Sequence, residues 1–128
     1  MIFISDDHRV FYEQHTGSAD IYTKALIYTL GICADTRRHF GSLYDPEERS
    51  IKPEAIHAAW QTGGSAKATR LAFQLFTDGT PTAFIDPENP DIEECRLYSV
   101  SDIFCCEFAP YFVEAIKIRY PEFMNKGV

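Results

Sequence analysis

Residues 21–32, IYTKALIYTLGI, constrain the fold more than any other part of the chain. Asp20 can cap a helix here, and Ile21, Ala25, Tyr28 and Ile32 then share one face. Tyr22, Leu26 and Cys33 lie beside that stripe, so the apolar surface is too wide for a helix with one side in water. A helix of this kind needs partners on several sides. The fold class expected is therefore mainly α, a bundle with this helix near its centre.

The rest of the chain supplies candidate partners. Ser5 or Asp6 can cap a helix running to about His15, ended by Thr16-Gly17. Asp35 reads as the N-cap of TRRHFGSLY, and Pro53 suits the first position of EAIHAAWQT. Gly63-Gly64 then reads as a break, with Ser65 capping AKATRLAFQLF. In that helix Ala68, Leu71, Ala72, Leu75 and Phe76 follow i, i+3, i+4, i+7, i+8, the clearest amphipathic pattern in the chain. Asp78-Gly79 ends it. Residues 79–100 lack a helical pattern, and TAFI and CRLYSV across DPENPDIEE form either a small β-hairpin or a loop. Ser101 is expected to cap a last helix ended by Pro121, with Pro110 kinking it or opening a second helix. The count is five to six helices in one domain over residues 1–128, with a hairpin as the β option near 82–100.

Composition supports this reading. The 128 residues are 45% hydrophobic and 14% aromatic, enough for a packed core and too apolar for a disordered chain. The formal net charge of -7 argues against nonspecific binding to nucleic acid, whose phosphates attract basic surfaces. It permits a protein partner with a basic surface or mimicry of nucleic acid, although such a charge most often only keeps a protein soluble. Cys33, Cys95, Cys105 and Cys106 show no zinc-type spacing, and reduced thiols in a cytoplasm fit them. Between Phe104 and Phe108, the two adjacent cysteines are expected to be buried and inert. The opening MIFISDDHRV does not read as a signal peptide, and no apolar run approaches the ~20 residues of a membrane span.

Two groups of residues are candidates for ligand contact. Arg37, Arg38 and His39 offer donors for an anion, although neighbours on a helix point apart. His57, Trp60, Ser65 and Arg70 flank the start of a helix, where free backbone N–H groups attract anions. The simpler readings are a solvated helix face for the first group and a helix corner with a core tryptophan for the second. No phosphate-loop pattern is present. His8 and His15 are two turns apart, too far for a helical metal pair, and neither a metal site nor a cofactor is expected. A third group, Asp86, Glu88, Asp91, Glu93 and Glu94, forms an acidic stretch that would attract a basic partner. Its spacing is not that of a calcium loop, and a solvated turn is the simpler reading.

The strings KALIYTLGICADTRRHFGSLYD, IKPEAIHAAWQTGGSAKATRLAFQLF and FCCEFAPYFVEAIKIRYPEF resemble a family of short bacterial proteins built on a domain of unknown function. The resemblance covers about residues 6–124. It implies a cytoplasmic accessory protein of gut Gram-positive bacteria, encoded on a phage or other mobile element, and it carries no catalytic residues. Three functions remain open at this point: a protein-binding or inhibitory module, an anionic-ligand protein or enzyme using the Arg/His/Ser groups, and a homo-oligomeric structural subunit.

Overall fold

The computed structural model describes residues 1–124 and is mainly helical. Its longer helices are α1 (Asp6–Thr16), α2 (Ile21–Leu30), α5 (Gly63–Thr77) and α8 (Ala109–Arg119). Five shorter segments join them: α3 (Ala34–Arg38), α4 (Phe40–Leu43), α6 (Ile92–Arg96), α7 (Val100–Phe104) and α9 (Pro121–Met124). A 3₁₀ turn covers Pro53–His57. The described residues thus hold nine α-helical segments rather than five or six, because two expected helices are divided, into α3 and α4 and into α7 and α8, and α6 and α9 lie where no helix was expected. None of them is long and apolar enough to cross a membrane.

The central helix is where the sequence placed it. Asp20 caps α2 by accepting a hydrogen bond from the Thr23 N–H, and every residue from Ala25 to Leu30 is buried. α2 packs most extensively on α5, then on α8 and α1. Its opposite sides belong to different apolar clusters. Ala25 and Tyr28 pack with Ala68, Leu71, Leu75 and Phe112, whereas Leu26 and Leu30 pack with Leu43, Ala72 and Phe73. A fully buried side chain of this size contributes about 1.5–3 kcal/mol, so the α2–α5 pair dominates stability.

α1 closes against the end of α2. Ser5 caps α1 through the His8 N–H. A Cβ at Gly31 would lie 2.8 Å from the Phe11 ring and 2.9 Å from His8, so only glycine admits this approach. His8 is fully buried, with Nε2 2.8 Å from the Tyr28 carbonyl and Nδ1 accepting from the Ile4 N–H at 3.2 Å. Desolvation lowers its pKa to about 4, despite the opposing bond to Tyr28, so the ring is neutral at pH 7.

Several local expectations are corrected. Thr62, not Ser65, caps α5, and Ser65 is the third helical residue, its hydroxyl accepting from the Thr62 N–H at 2.7 Å. This reciprocal capping box carries the helix through Gly63-Gly64, where a break was expected. Cys33 rather than Asp35 precedes α3, and the Pro53 helix is only the 3₁₀ turn. The small antiparallel hairpin is present but lies at Tyr44–Asp45 (β1) and Ser50–Ile51 (β2), with Tyr44 opposite Ile51. Residues 82–100 instead contain α6, because Asp91 caps it through the Glu94 N–H. Ser99, not Ser101, caps α7, and Pro110 sits in the first turn of α8, as the two-helix alternative required. The chain turns at Cys105, which ends α7 and is exposed, while Cys106 is half-buried; neither is the enclosed thiol expected.

Candidate functional site

The expected ligand residues form separate small groups. Arg37 donates to the Gly31 carbonyl at 2.6 Å and so completes the C-terminal end of α2. Arg38 is exposed and lies 3.5 Å from Asp35 on the same short helix, a surface pair of little energetic weight. His39 stacks on Trp60, with ring centroids 4.2 Å apart and planes at 13°. Trp60 is half-buried against the second apolar cluster. Ser65 is buried, and its hydroxyl donates to Gln61 Oε1 while serving the capping box. Thr62 already accepts from the Ser65 N–H of α5, so the capping box uses that backbone donor within the helix end. Three of the clefts formed by the described residues, of about 400–520 Å³, have none of Arg37, Arg38, His39, His57, Trp60, Ser65 or Arg70 in their walls.

Arg70 and His57 do meet, and the residue that joins them comes from the acidic stretch. Glu94, on α6, is 3% exposed. Arg70 Nε donates to its Oε2 at 2.6 Å and Arg70 Nη2 to its Oε1 at 3.1 Å, a forked pairing buried on both sides. His57 Nε2 lies 3.3 Å from the same Oε1, with its ring mostly in solvent. The Tyr98 ring lies 6.0 Å from the Arg70 guanidinium. Burial, then the Glu94 charge, raises the Tyr98 phenol pKa, so it remains protonated. Glu94 is therefore not a loop carboxylate facing a partner. It pins the excursion between α5 and α7 onto the body of the protein.

Above that anchor the other four carboxylates stay at the surface. The Asp91 N–H donates to the Ala83 carbonyl at 3.2 Å and closes the neck of a loop over residues 84–90. Asp86 shapes its tip: one carboxylate oxygen accepts from the Glu88 N–H and the other from the Asn89 side chain. Such side-chain-to-backbone turns preset a loop conformation. Glu88 is exposed, Asp91 caps α6, and Glu93 pairs with Arg96 at 3.2 Å in solvent. Residues 84–102 contain six carboxylates and one arginine, a net −5 of the chain's −7.

Large apolar side chains stand among these charges. Phe84 and Ile85 at the loop neck are 49% and 58% exposed, and Ile92, Leu97 and Val100 are exposed on and beside α6 and α7. Sequence reasoning did not single them out, because it read TAFI only as part of either a small hairpin or a loop. The signal available was two large apolar residues directly before a proline-punctuated acidic run. Among the described residues, no group of three His, Cys, Asp or Glu side chains is placed to hold a metal ion.

The fold and this surface define a small helical protein that displays an acidic loop edged with exposed apolar side chains. The chain belongs to DUF6075, a family of unknown function, whose family model matches residues 1–127. No curated protein and no solved structure matches it.

Proposed function

We propose that this protein is a small protein-binding, regulatory module whose contact surface is the excursion from Phe84 to Val100. The observation that carries the reading is the pairing of exposed Phe84 and Ile85 with a closed, acidic loop. Apolar side chains in water are costly to maintain, and a preset loop loses little entropy when it docks. The surrounding charge selects a partner with basic residues around an apolar recess and speeds their encounter. The resemblance of the motif strings gives this reading its particular form, an inhibitor of a host protein encoded by a phage or other mobile element. A cytoplasmic location belongs to the same reading and is supported by four unpaired cysteines.

The test compares the wild-type chain with two variants, Asp86→Lys/Glu88→Lys/Glu93→Lys and Phe84→Ser/Ile85→Ser, as baits in a host lysate at low and high salt. A partner held by the wild type, weakened by salt and lost with both variants supports the proposal. Retention of the same partner by both variants, or no partner at low salt, contradicts it. Light scattering on the purified chain distinguishes a heterologous partner from self-association.

A further inference from the structure

A second set of exposed apolar side chains lies outside the excursion and borders a groove of about 520 Å³. The groove runs between α1, α2 and α8 and ends at Pro121. Tyr12, Ile118 and Pro121 form its half-buried apolar walls, and Ile21 stands exposed at its edge. In the short helix that Pro121 opens, Phe123 and Met124 are 66% and 45% exposed. The volume is that of a cleft able to take large side chains.

The charges on this groove are unlike those of the other clefts. Its charged lining residues are Lys24, Lys117 and Glu114, two cations against one anion in a chain of net -7. Neither lysine is in an ion pair among the described residues. In the cleft beside the β1–β2 hairpin, Arg49 is already paired with Asp20. The cleft at the end of α5 has Asp78 as its charged residue, and Arg119 holds it. Of these three clefts, only the groove has a net positive lining with cations left for a partner.

The excursion calls for such a surface. Its exposed Phe84 and Ile85 need an apolar recess, and its carboxylates need cations around that recess. The two surfaces belong to different elements. The excursion is held on α5 by the Arg70–Glu94 pair, while the groove is walled by α1, α2 and α8. With that anchor in place, the excursion that reaches a groove is that of another copy.

We propose that a second copy of this chain covers the excursion, with Phe84 and Ile85 seated in its groove and Glu88 and Glu93 near its Lys24 and Lys117. The inference rests on the reading of Phe84–Val100 as a contact surface and adds what covers that surface in the free protein. A host partner would compete for the same side chains. The contact is heterologous, since it joins two different patches.

Light scattering and sedimentation of the purified chain at low salt, from about 10 µM to 1 mM, the range of weak contacts, test the proposal. The wild type is expected to gain mass with concentration and to lose that gain at high salt. Lys24→Glu/Lys117→Glu removes the groove and Phe84→Ser/Ile85→Ser removes the excursion; each variant alone should stay monomeric while unfolding cooperatively. Each retains the surface the other lacks, so their equimolar mixture should form a 1:1 dimer and nothing larger. A wild type that stays monomeric at 1 mM, association undiminished in either variant, or a mixture without dimer overturns the proposal. A monomeric wild type that still captures a host protein through Phe84 and Ile85 would overturn this inference and leave the proposed function standing. Self-association through this contact with no host protein captured would do the reverse.

Discussion

α2 and the excursion between α5 and α7 show two ways of holding a segment in one small protein. Seven of the ten α2 residues are buried: Ala25, Leu26, Ile27 and Leu30 are wholly apolar, and the Tyr28 and Thr29 hydroxyls donate to backbone carbonyls. In residues 80–98 only Thr82, Ala83, Glu94 and Tyr98 are buried, and three of these carry polar groups. The Thr82 hydroxyl and the Tyr98 phenol lack partners among the described residues, each a cost of about 1–3 kcal/mol. The first segment is fixed by many small contacts. The second depends on one forked ion pair, Arg70–Glu94, and a closed loop neck. A segment anchored at one point can expose its remaining side chains, and those are the apolar and acidic residues proposed to meet a partner.

Substitutions can break this contrast from the strong side first. Phe112→Ala, at a fully buried position of the first cluster, should cost about 3–5 kcal/mol in urea unfolding. It should destabilise α2, α5 and α8 together. Glu94→Gln keeps the shape of the anchor but leaves the Arg70 charge without a carboxylate. Removing one partner of a buried pair costs about 3 kcal/mol or more. The double change Arg70→Met/Glu94→Leu should recover much of that loss, which a double-mutant cycle would show.

Acid probes the core side through His8. Its folded pKa, about 4, is below the unfolded value of 6.5, so the unfolded chain binds a proton more readily between them. The contribution is fully present above pH 6.5 and is lost as pH falls toward 4, for a total of about 3 kcal/mol. Chemical denaturation at pH 7 and pH 4.5 should register most of this fall, and a variant lacking the histidine should lack it. Gly31→Ala acts nearby by forcing a methyl group against Phe11 and His8, and should cost about 1–3 kcal/mol. The smallest effect is expected on the excursion surface. Glu88→Lys and Ile92→Ser should each change stability by no more than about 0.5 kcal/mol, while reducing retention of the partner.

Much of the strongly held region was legible in the sequence. The caps Ser5 and Asp20 and the stripe Ala68, Leu71, Ala72, Leu75 are local patterns, and local patterns suffice where burial is broad. The excursion was read less well for a physical reason. Glu94 and Arg70 are 24 residues apart, and nothing in DPENPDIEE distinguishes the one carboxylate that turns inward from the four that do not. His57 and Arg70 were named as neighbours, but the group joining them was assigned to solvent. The Thr62–Ser65 capping box overrode the Gly63-Gly64 signal, since glycine in a first helical turn costs less than two satisfied backbone groups provide. At Cys105 an apolar neighbourhood suggested burial, whereas the turn between α7 and α8 faces the side chain outward.

Amide hydrogen exchange on wild type and Glu94→Gln tests the central contrast most directly. The account expects residues 82–98 to exchange through a lower-energy opening than α2 and α5, and Glu94→Gln to lower that opening energy further while leaving the α2 and α5 amides much less affected. Equal loss of protection across all three segments would show that the excursion is part of the core, and would contradict the account.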